Sequence, residues 1–130
     1  MLRTIEPQLY SVMRMVFGFL FLMHGLQKLF GVAGGTAVDV GSLGGVAGLI
    51  ETMGGLLIFG GLMTSRVAFV CAGEMAVAYF MVHQPRALWP IQNAGEPAAL
   101  FCFAFLYMAT RGGGLWSLDA LLASRRGRGE

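Results

Sequence analysis

Apolar residues fill four stretches of the chain, at about 9–30, 43–63, 66–83 and 95–110, and polar residues gather between them. A helix crosses the ~30 Å hydrocarbon core of a bilayer with about 20 mostly apolar residues. Each stretch therefore predicts a spanning helix, the last one short but extendable at its flanks. Strands are disfavoured, because an open sheet edge in lipid leaves backbone groups unpaired and a closed barrel needs at least about eight strands. The links differ in character. Residues 31–42 are Gly-rich and carry Asp39, which predicts a loop. Thr64-Ser65 predicts a tight turn that makes the second and third helices an antiparallel hairpin. Residues 84–93 hold Pro85, Trp89 and Pro90 and predict an extended or re-entrant loop at the membrane interface, where Trp is favoured. Three glycines at 112–114 end the fourth helix. Beyond them Ser117 is placed to N-cap a short helix with Asp119 in its first turn. Leu115, Leu118 and Leu122 share a face there, and Arg125, Arg126 and Arg128 follow, as in an amphipathic helix lying on a membrane surface.

Composition agrees with this pattern. Hydrophobic residues make up 56% of the 130 residues and charged residues 12%, about half the charged share usual in soluble domains. A soluble domain of this size could not hide that much apolar surface, so lipid is the solvent the composition calls for. A net charge of +2 is too small to point to nucleic acid. Cys71 and Cys102 both fall in apolar stretches and do not form the framework of a secreted disulfide protein. The N-terminal ten residues hold Glu6 and Pro7, and no small-residue cleavage site follows the first apolar run, so that run is expected to stay as an anchor.

Lys and Arg placement sets the expected orientation. Arg111, Arg125, Arg126 and Arg128 put the C-terminus in the cytoplasm, and four spans then bring the N-terminus, with Arg3, to the same side. The turn before Arg66 lands there too, which leaves Lys28 and Arg86 outside. The expected architecture is an all-α, single-domain, four-helix transmembrane bundle with both termini cytoplasmic.

Ionisable residues inside spans are costly and usually face the protein interior. The first span carries Arg14, His24 and Lys28, the second Glu51, the third Glu74, and Glu96 opens the fourth. At about 1.5 Å of rise per residue, His24, Gln27, Lys28, Glu51, Asn93 and Glu96 fall in the outer half and Glu74 near the middle. His24, Glu51 and Glu96 are thus the candidate catalytic residues, and Lys28, Gln27, Asn93 and Glu74 candidate binding residues. Arg14 stands apart near the inner end. The same charges have a structural reading: a Lys28–Glu51 or an Arg14–Glu74 pair satisfies the need of buried charges for partners, and His24 is equally suited to a hydrogen bond within a core. Arg66 and the terminal arginines suit topology rather than ligand binding, and the methionines suit packing. Gly44, Gly48 and Gly55 flank Glu51 on one stripe, Gly18 and Gly25 form another on the first span, and small residues of this kind let helices approach closely. Metal binding is not favoured: no Glu-x-x-His pair occurs, and His24 is followed four residues later by the cation Lys28. Haem ligation by His24 and His83 stays open on sequence grounds.

Several of these residues lie in recognisable runs. His24-Gly25-Leu26-Gln27-Lys28-Leu29-Phe30-Gly31 resembles the HG-x-x-KLFG signature of the DoxX family. Glu51-Thr52-Met53-Gly54-Gly55, the 61–66 turn and the Asn93-Ala94-Gly95-Glu96 step also resemble that family, as does the closing Gly114-Leu115-Trp116-Ser117-Leu118-Asp119, its G-x-x-SLD. The runs occur in the family's order across nearly the whole chain. Ala94 stands where the family has glycine, and Ser65 separates Thr64 from Arg66. The resemblance implies a multi-pass protein of the bacterial inner membrane. Its relatives include a DoxD-type subunit linked to thiosulfate:quinone oxidoreductase and membrane partners of sulfur-handling or oxidative-stress proteins. The family-matched polar positions are His24, Lys28, Glu51, Arg66, Asn93 and Glu96.

Three functions are compatible with these features. One is a redox-associated membrane subunit, part of an oxidoreductase, that uses a quinone: His24 would bond a quinone carbonyl, Glu51 or Glu96 would relay a proton, and Lys28 would hold an anionic form. A second is a non-enzymatic membrane scaffold that recruits a soluble redox partner protein. A third is a small-solute or proton pathway, which for so narrow a bundle implies a homo-oligomer.

Overall fold

The structure is a computed structural model and describes residues 2–127. It is all-helical, with no strand among the described residues. Helix α1 spans Glu6–Phe30, α2 Leu43–Gly60, α3 Thr64–Ala78, α4 Pro90–Asn93, α5 Glu96–Arg111 and α6 Leu118–Arg126. A π-helical turn, Tyr79–His83, and a 3-10 turn, Gln84–Arg86, carry α3 onward without a break. Among the described residues three helical stretches are long and apolar enough to cross a membrane: Glu6–Phe30, Leu43–Gly60 and Thr64–Arg86. With 16 residues, α5 reaches about 24 Å at 1.5 Å per residue, short of a full crossing by itself.

The sequence pattern places these helices to within a few residues, and the deviations have local causes. The second helix ends at Gly60, three residues before its apolar run does. Gly61 adopts the left-handed conformation (φ 70°), and Leu62 N–H bonds the carbonyl of Leu57, the bonding of a glycine-terminated helix. The expected Thr64-Ser65 turn is therefore shifted. The turn is 61–63, and Thr64 and Ser65 already belong to α3. Residues 84–93 are not extended throughout. They coil into the 3-10 turn and α4, with Trp89 in extended backbone between them.

Consecutive helices run antiparallel. This puts the N-terminus of α1, the α2–α3 turn and the C-terminus of α5 at one end, the termini end. The 31–42 and 84–95 connections lie at the other, the loop end. The tightest packing pairs α1 with α2 and α3 with α5, while the α2–α3 and α1–α5 seams are thinner. The α1–α2 seam is close because glycine faces backbone. A Cβ on Gly18 would stand 2.5 Å from the Phe59 nitrogen, and one on Gly25 or Gly55 would collide with the backbone of Thr52 or Leu22. Gly44 is outside this seam and meets the side chain of Val38 instead. Aromatic rings close the interior between the two pairs, with Phe21 at 4.8 Å from Phe105 and Phe17 at 5.5 Å from Phe101, both edge to face.

Arg14, fully buried, holds the termini end together. It does not pair with Glu74. Its guanidinium donates to the carbonyls of Ile58 and Phe59 (2.6 Å each), Gly113 (2.8 Å) and Trp116. Two of these belong to the last turn of α2, where carbonyls lack helical partners and the helix dipole favours a cation. Tyr10 donates to the Gly112 carbonyl at 2.5 Å, and Glu6 pairs with Arg111. Ser117 N-caps α6 as its sequence predicts, accepting from Ala120 N–H. Asp119 does more than sit in that first turn: its carboxylate accepts from the N–H of Met63 and Thr64 and from the Thr64 hydroxyl. Arg125 and Arg126 end α6, and Arg128 lies outside the described residues.

Candidate functional site

At the loop end the thin α2–α3 seam opens into a groove of ≈ 620 Å³. Its walls are apolar, including Val46, Ile50, Val77 and Met81, and Lys28, Glu74 and His83 are its ionisable groups. Val46, Val77 and Met81 are exposed on the flank of the molecule, so the groove faces sideways, toward the surface an apolar solvent would cover.

Three helices bring charge to this place. Lys28 lies two residues from the end of α1. A lysine so placed in a membrane helix usually extends toward water, but this one turns inward, its Nζ 2.5 Å from Glu51 Oε1. Glu51 is 2% exposed and belongs to the α2 face that carries Gly48 and Gly55. The Cβ of Lys28 lies 3.1 Å from where a side chain on Gly48 would begin, so glycine at 48 leaves the lysine its path to the carboxylate. Glu74, about 15 Å along α3 from its start at 1.5 Å per residue, supplies the third charge. Glu51 Oε2 and Glu74 Oε2 are both buried with no hydrogen-bond partner. Buried polar atoms almost always have one, so two such oxygens near one groove mark a place able to accept donors or hold a proton.

The remaining sequence candidates fall elsewhere. His24 is exposed and sets its ring edge-to-face on Phe101 of α5 at 5.8 Å; it does not line the groove. Gln27, in the last turn of α1, donates to the Ala33 carbonyl at 3.3 Å in the loop that follows. Asn93 is 1% exposed and organises the second connection, donating to the Ala87 carbonyl and accepting from Gly95 N–H. Glu96 is exposed at the first turn of α5, where the helix dipole favours an acid, and makes no ion pair among the described residues. Lys28 therefore pairs with Glu51 and shares the groove with Glu74, and His24, Gln27, Asn93 and Glu96 do not line it.

His83, offered by the sequence only as a haem ligand beside His24, lines the groove, and His24 does not. The π-turn widens the helix at Tyr79–His83, and its last residue sets a ring nitrogen 3.1 Å from the Asn93 carbonyl. π-turns are rare and concentrate at functional sites, but nothing in the run YFMVH announces one. Among the described residues no group of three His, Cys, Asp or Glu side chains is arranged to hold a metal ion, and both cysteines are free.

Comparison with known proteins adds the family. The DoxX family model matches residues 9–84, which contain most of α1 and all of α2, α3 and the π-turn and so every ionisable residue of the groove. A protein of Haemophilus influenzae described as uncharacterized is 34% identical over 125 residues, covering 91% of this chain and 93% of the relative. No solved structure matches. With the family match, three apolar helices and buried charges, the chain is a membrane protein and belongs to the DoxX family.

Proposed function

We propose that this protein is a quinone-linked redox subunit of the bacterial inner membrane, taking the ring of a membrane quinone into the α2–α3 groove. The single observation that carries the reading is the groove itself: apolar walls, a lateral opening, and Lys28, Glu74 and His83 as its ionisable groups. A quinone has a matching division, with carbonyl oxygens on a ring and an apolar tail that stays in lipid. Sites for such ligands are largely apolar with a few convergent polar groups. Lys28 and His83 would donate to the ring oxygens, and the unpartnered Oε2 of Glu74 would hold a proton toward them. The quinone, when bound, would supply the electron-accepting chemistry. Glu51 would keep Lys28 in place from behind.

The same proposal includes a fourth crossing, by α5 with its flanks, which completes a multi-pass four-helix bundle within one domain. It also puts both termini in the cytoplasm. Arg3, Arg66, Arg111, Arg125 and Arg126 cluster at the termini end, whereas the loop end has Arg86 and a lysine already paired with Glu51. Cytoplasmic flanks carry the excess of Lys and Arg.

Titration of the purified protein in detergent with a short-chain benzoquinone tests the reading. Saturable binding is expected, weakened about tenfold in Glu74→Ala and in Lys28→Ala and retained in Glu96→Ala. Equal binding by wild type and both groove variants would remove the groove as the site.

A further inference from the structure

Two more apolar grooves flank α3 at the termini end, and both reach the same side chain. One, of ≈ 300 Å³, lies between α2 and α3 and is lined by Ile50, Met53, Leu57 and Val67 with Arg66. The other, of ≈ 590 Å³, lies between α3 and α5 and is lined by Phe69, Leu106 and Ala109, again with Arg66, and with Ser65 and Thr110. Val70 borders both. Arg66 is thus the charged residue common to two grooves on opposite sides of one helix. It is exposed, and among the described residues no carboxylate lies within 4 Å of it and its side chain makes no hydrogen bond. The other arginines of α1 and α5 at this end differ: Arg14 is saturated by carbonyls and Arg111 is held by Glu6 and the Tyr107 hydroxyl.

A free cation at the level where spans end, above a forked pair of apolar channels, has the shape of a two-chain anionic lipid in negative relief. We propose that Arg66 holds the phosphate of an anionic phospholipid whose two acyl chains lie in the grooves on either side of α3. The guanidinium fork matches phosphate oxygens in paired hydrogen bonds. The Ser65 and Thr110 hydroxyls border the α3–α5 groove beside it and are able to donate to the headgroup. The apolar walls then replace bulk lipid by one fixed lipid. The α2–α3 channel meets the Lys28–Glu74 groove at Ile50 and Val70, whereas Arg66, Ser65 and Thr110 lie outside that groove.

Native mass spectrometry of the protein released from nanodiscs of equimolar phosphatidylglycerol and phosphatidylcholine provides the test. The wild type is expected to retain one phosphatidylglycerol in preference to phosphatidylcholine. Arg66→Gln is expected to retain about fivefold less, the loss of roughly one surface cation's attraction. The Arg125→Gln, Arg126→Gln double variant is expected to retain it as the wild type does. Ala109→Phe, which fills the α3–α5 groove while leaving Arg66 intact, is expected to lower retention as well. Retention unchanged in Arg66→Gln, or lost equally in the Arg125/Arg126 variant, would overturn the site in favour of diffuse surface charge. Displacement of the retained lipid by millimolar inorganic phosphate would overturn the role of the acyl channels. Circular dichroism of each variant confirms that the helices remain formed.

Discussion

Asp119 caps a helix to which it does not belong. Its Oδ2 accepts from the N–H of Thr64 at 2.9 Å and from the Thr64 hydroxyl at 2.9 Å, its Oδ1 from Met63 N–H at 2.8 Å, across 55 and 56 residues of chain. The N-terminus of α3 has no side-chain cap of its own, so this carboxylate satisfies donors that would otherwise be orphaned. Asp119→Ala is expected to lower stability by about 1 kcal/mol, within the roughly 0.5–2 kcal/mol of N-cap removal. Thermal unfolding in detergent followed by circular dichroism measures it.

The same contact sets a pH dependence. Burial by itself would raise the Asp119 pKa. The hydrogen bonds from Thr64 and Met63, with the charge of Arg14 beyond them, outweigh it and hold the carboxyl below its ordinary value of 3.8. A group whose pKa is lower when folded contributes stability above its unfolded pKa and loses it as pH falls through the folded one. The termini end is therefore expected to keep this contribution at neutral pH and to lose it below about pH 4, with the loss abolished in Asp119→Asn. An acid-titration slope identical in wild type and variant would refute the assignment.

Arg14 is expected to be the most sensitive single position. Truncation takes a donor from four carbonyls, of which Ile58 keeps the Gly61 N–H, and each buried acceptor left unsatisfied costs about 1–3 kcal/mol. Lysine offers a point charge rather than a planar fork, so Arg14→Lys is expected to recover only part of the loss. Comparing the melting temperatures of both variants with wild type reads this directly.

Glycine substitutions separate packing from propensity. Gly25→Ala and Gly55→Ala drive a methyl group into the facing backbone, and overpacking of this kind costs about 1–3 kcal/mol. Gly73, on α3, has nothing within 4 Å of a built Cβ. Gly73→Ala is expected to be neutral or to stabilise by up to about 1 kcal/mol, since alanine is the better helix former. Destabilisation of equal size at Gly25 and Gly73 would contradict the close packing assigned to the α1–α2 glycines.

The Lys28–Glu51 pair predicts non-additivity. Lys28→Met strands a carboxylate that is 2% exposed, and a stranded buried charge is costly. Adding Glu51→Gln removes that charge, so the double variant is expected to be more stable than Lys28→Met alone. A double-mutant cycle on unfolding free energies gives the coupling.

The legible part of this fold follows from period and charge. The spans, the Ser117 cap and the glycine seam each have a local signature, and a lysine and a glutamate in neighbouring spans are natural partners. What escaped has no signature of its own. Arg14 could have met Glu74; it meets main-chain carbonyls, which every residue carries and no residue type announces. Asp119 reads locally as a first-turn acid, and only the return of the chain over the α2–α3 turn makes it a cap for α3. The groove depends on α2 and α3 packing less closely than their sequential hairpin suggests. That relationship is between surfaces rather than residues. His24 and Glu96 have depths that suit a shared site, but depth leaves the direction of a side chain undetermined.

The ties at the termini end carry a mechanical meaning. Arg14, Asp119 and Tyr10 fasten the helices at one end, while the larger of the two α2–α3 grooves opens at the other. The two helix pairs are thus the arms of a pair of tweezers, riveted at the termini. A splay of about 5° over the ~30 Å of a 20-residue helix moves the tips by about 3 Å. A splay of that kind would be felt less at Arg66 than at His83, which stand near opposite ends of α3 and its π-turn.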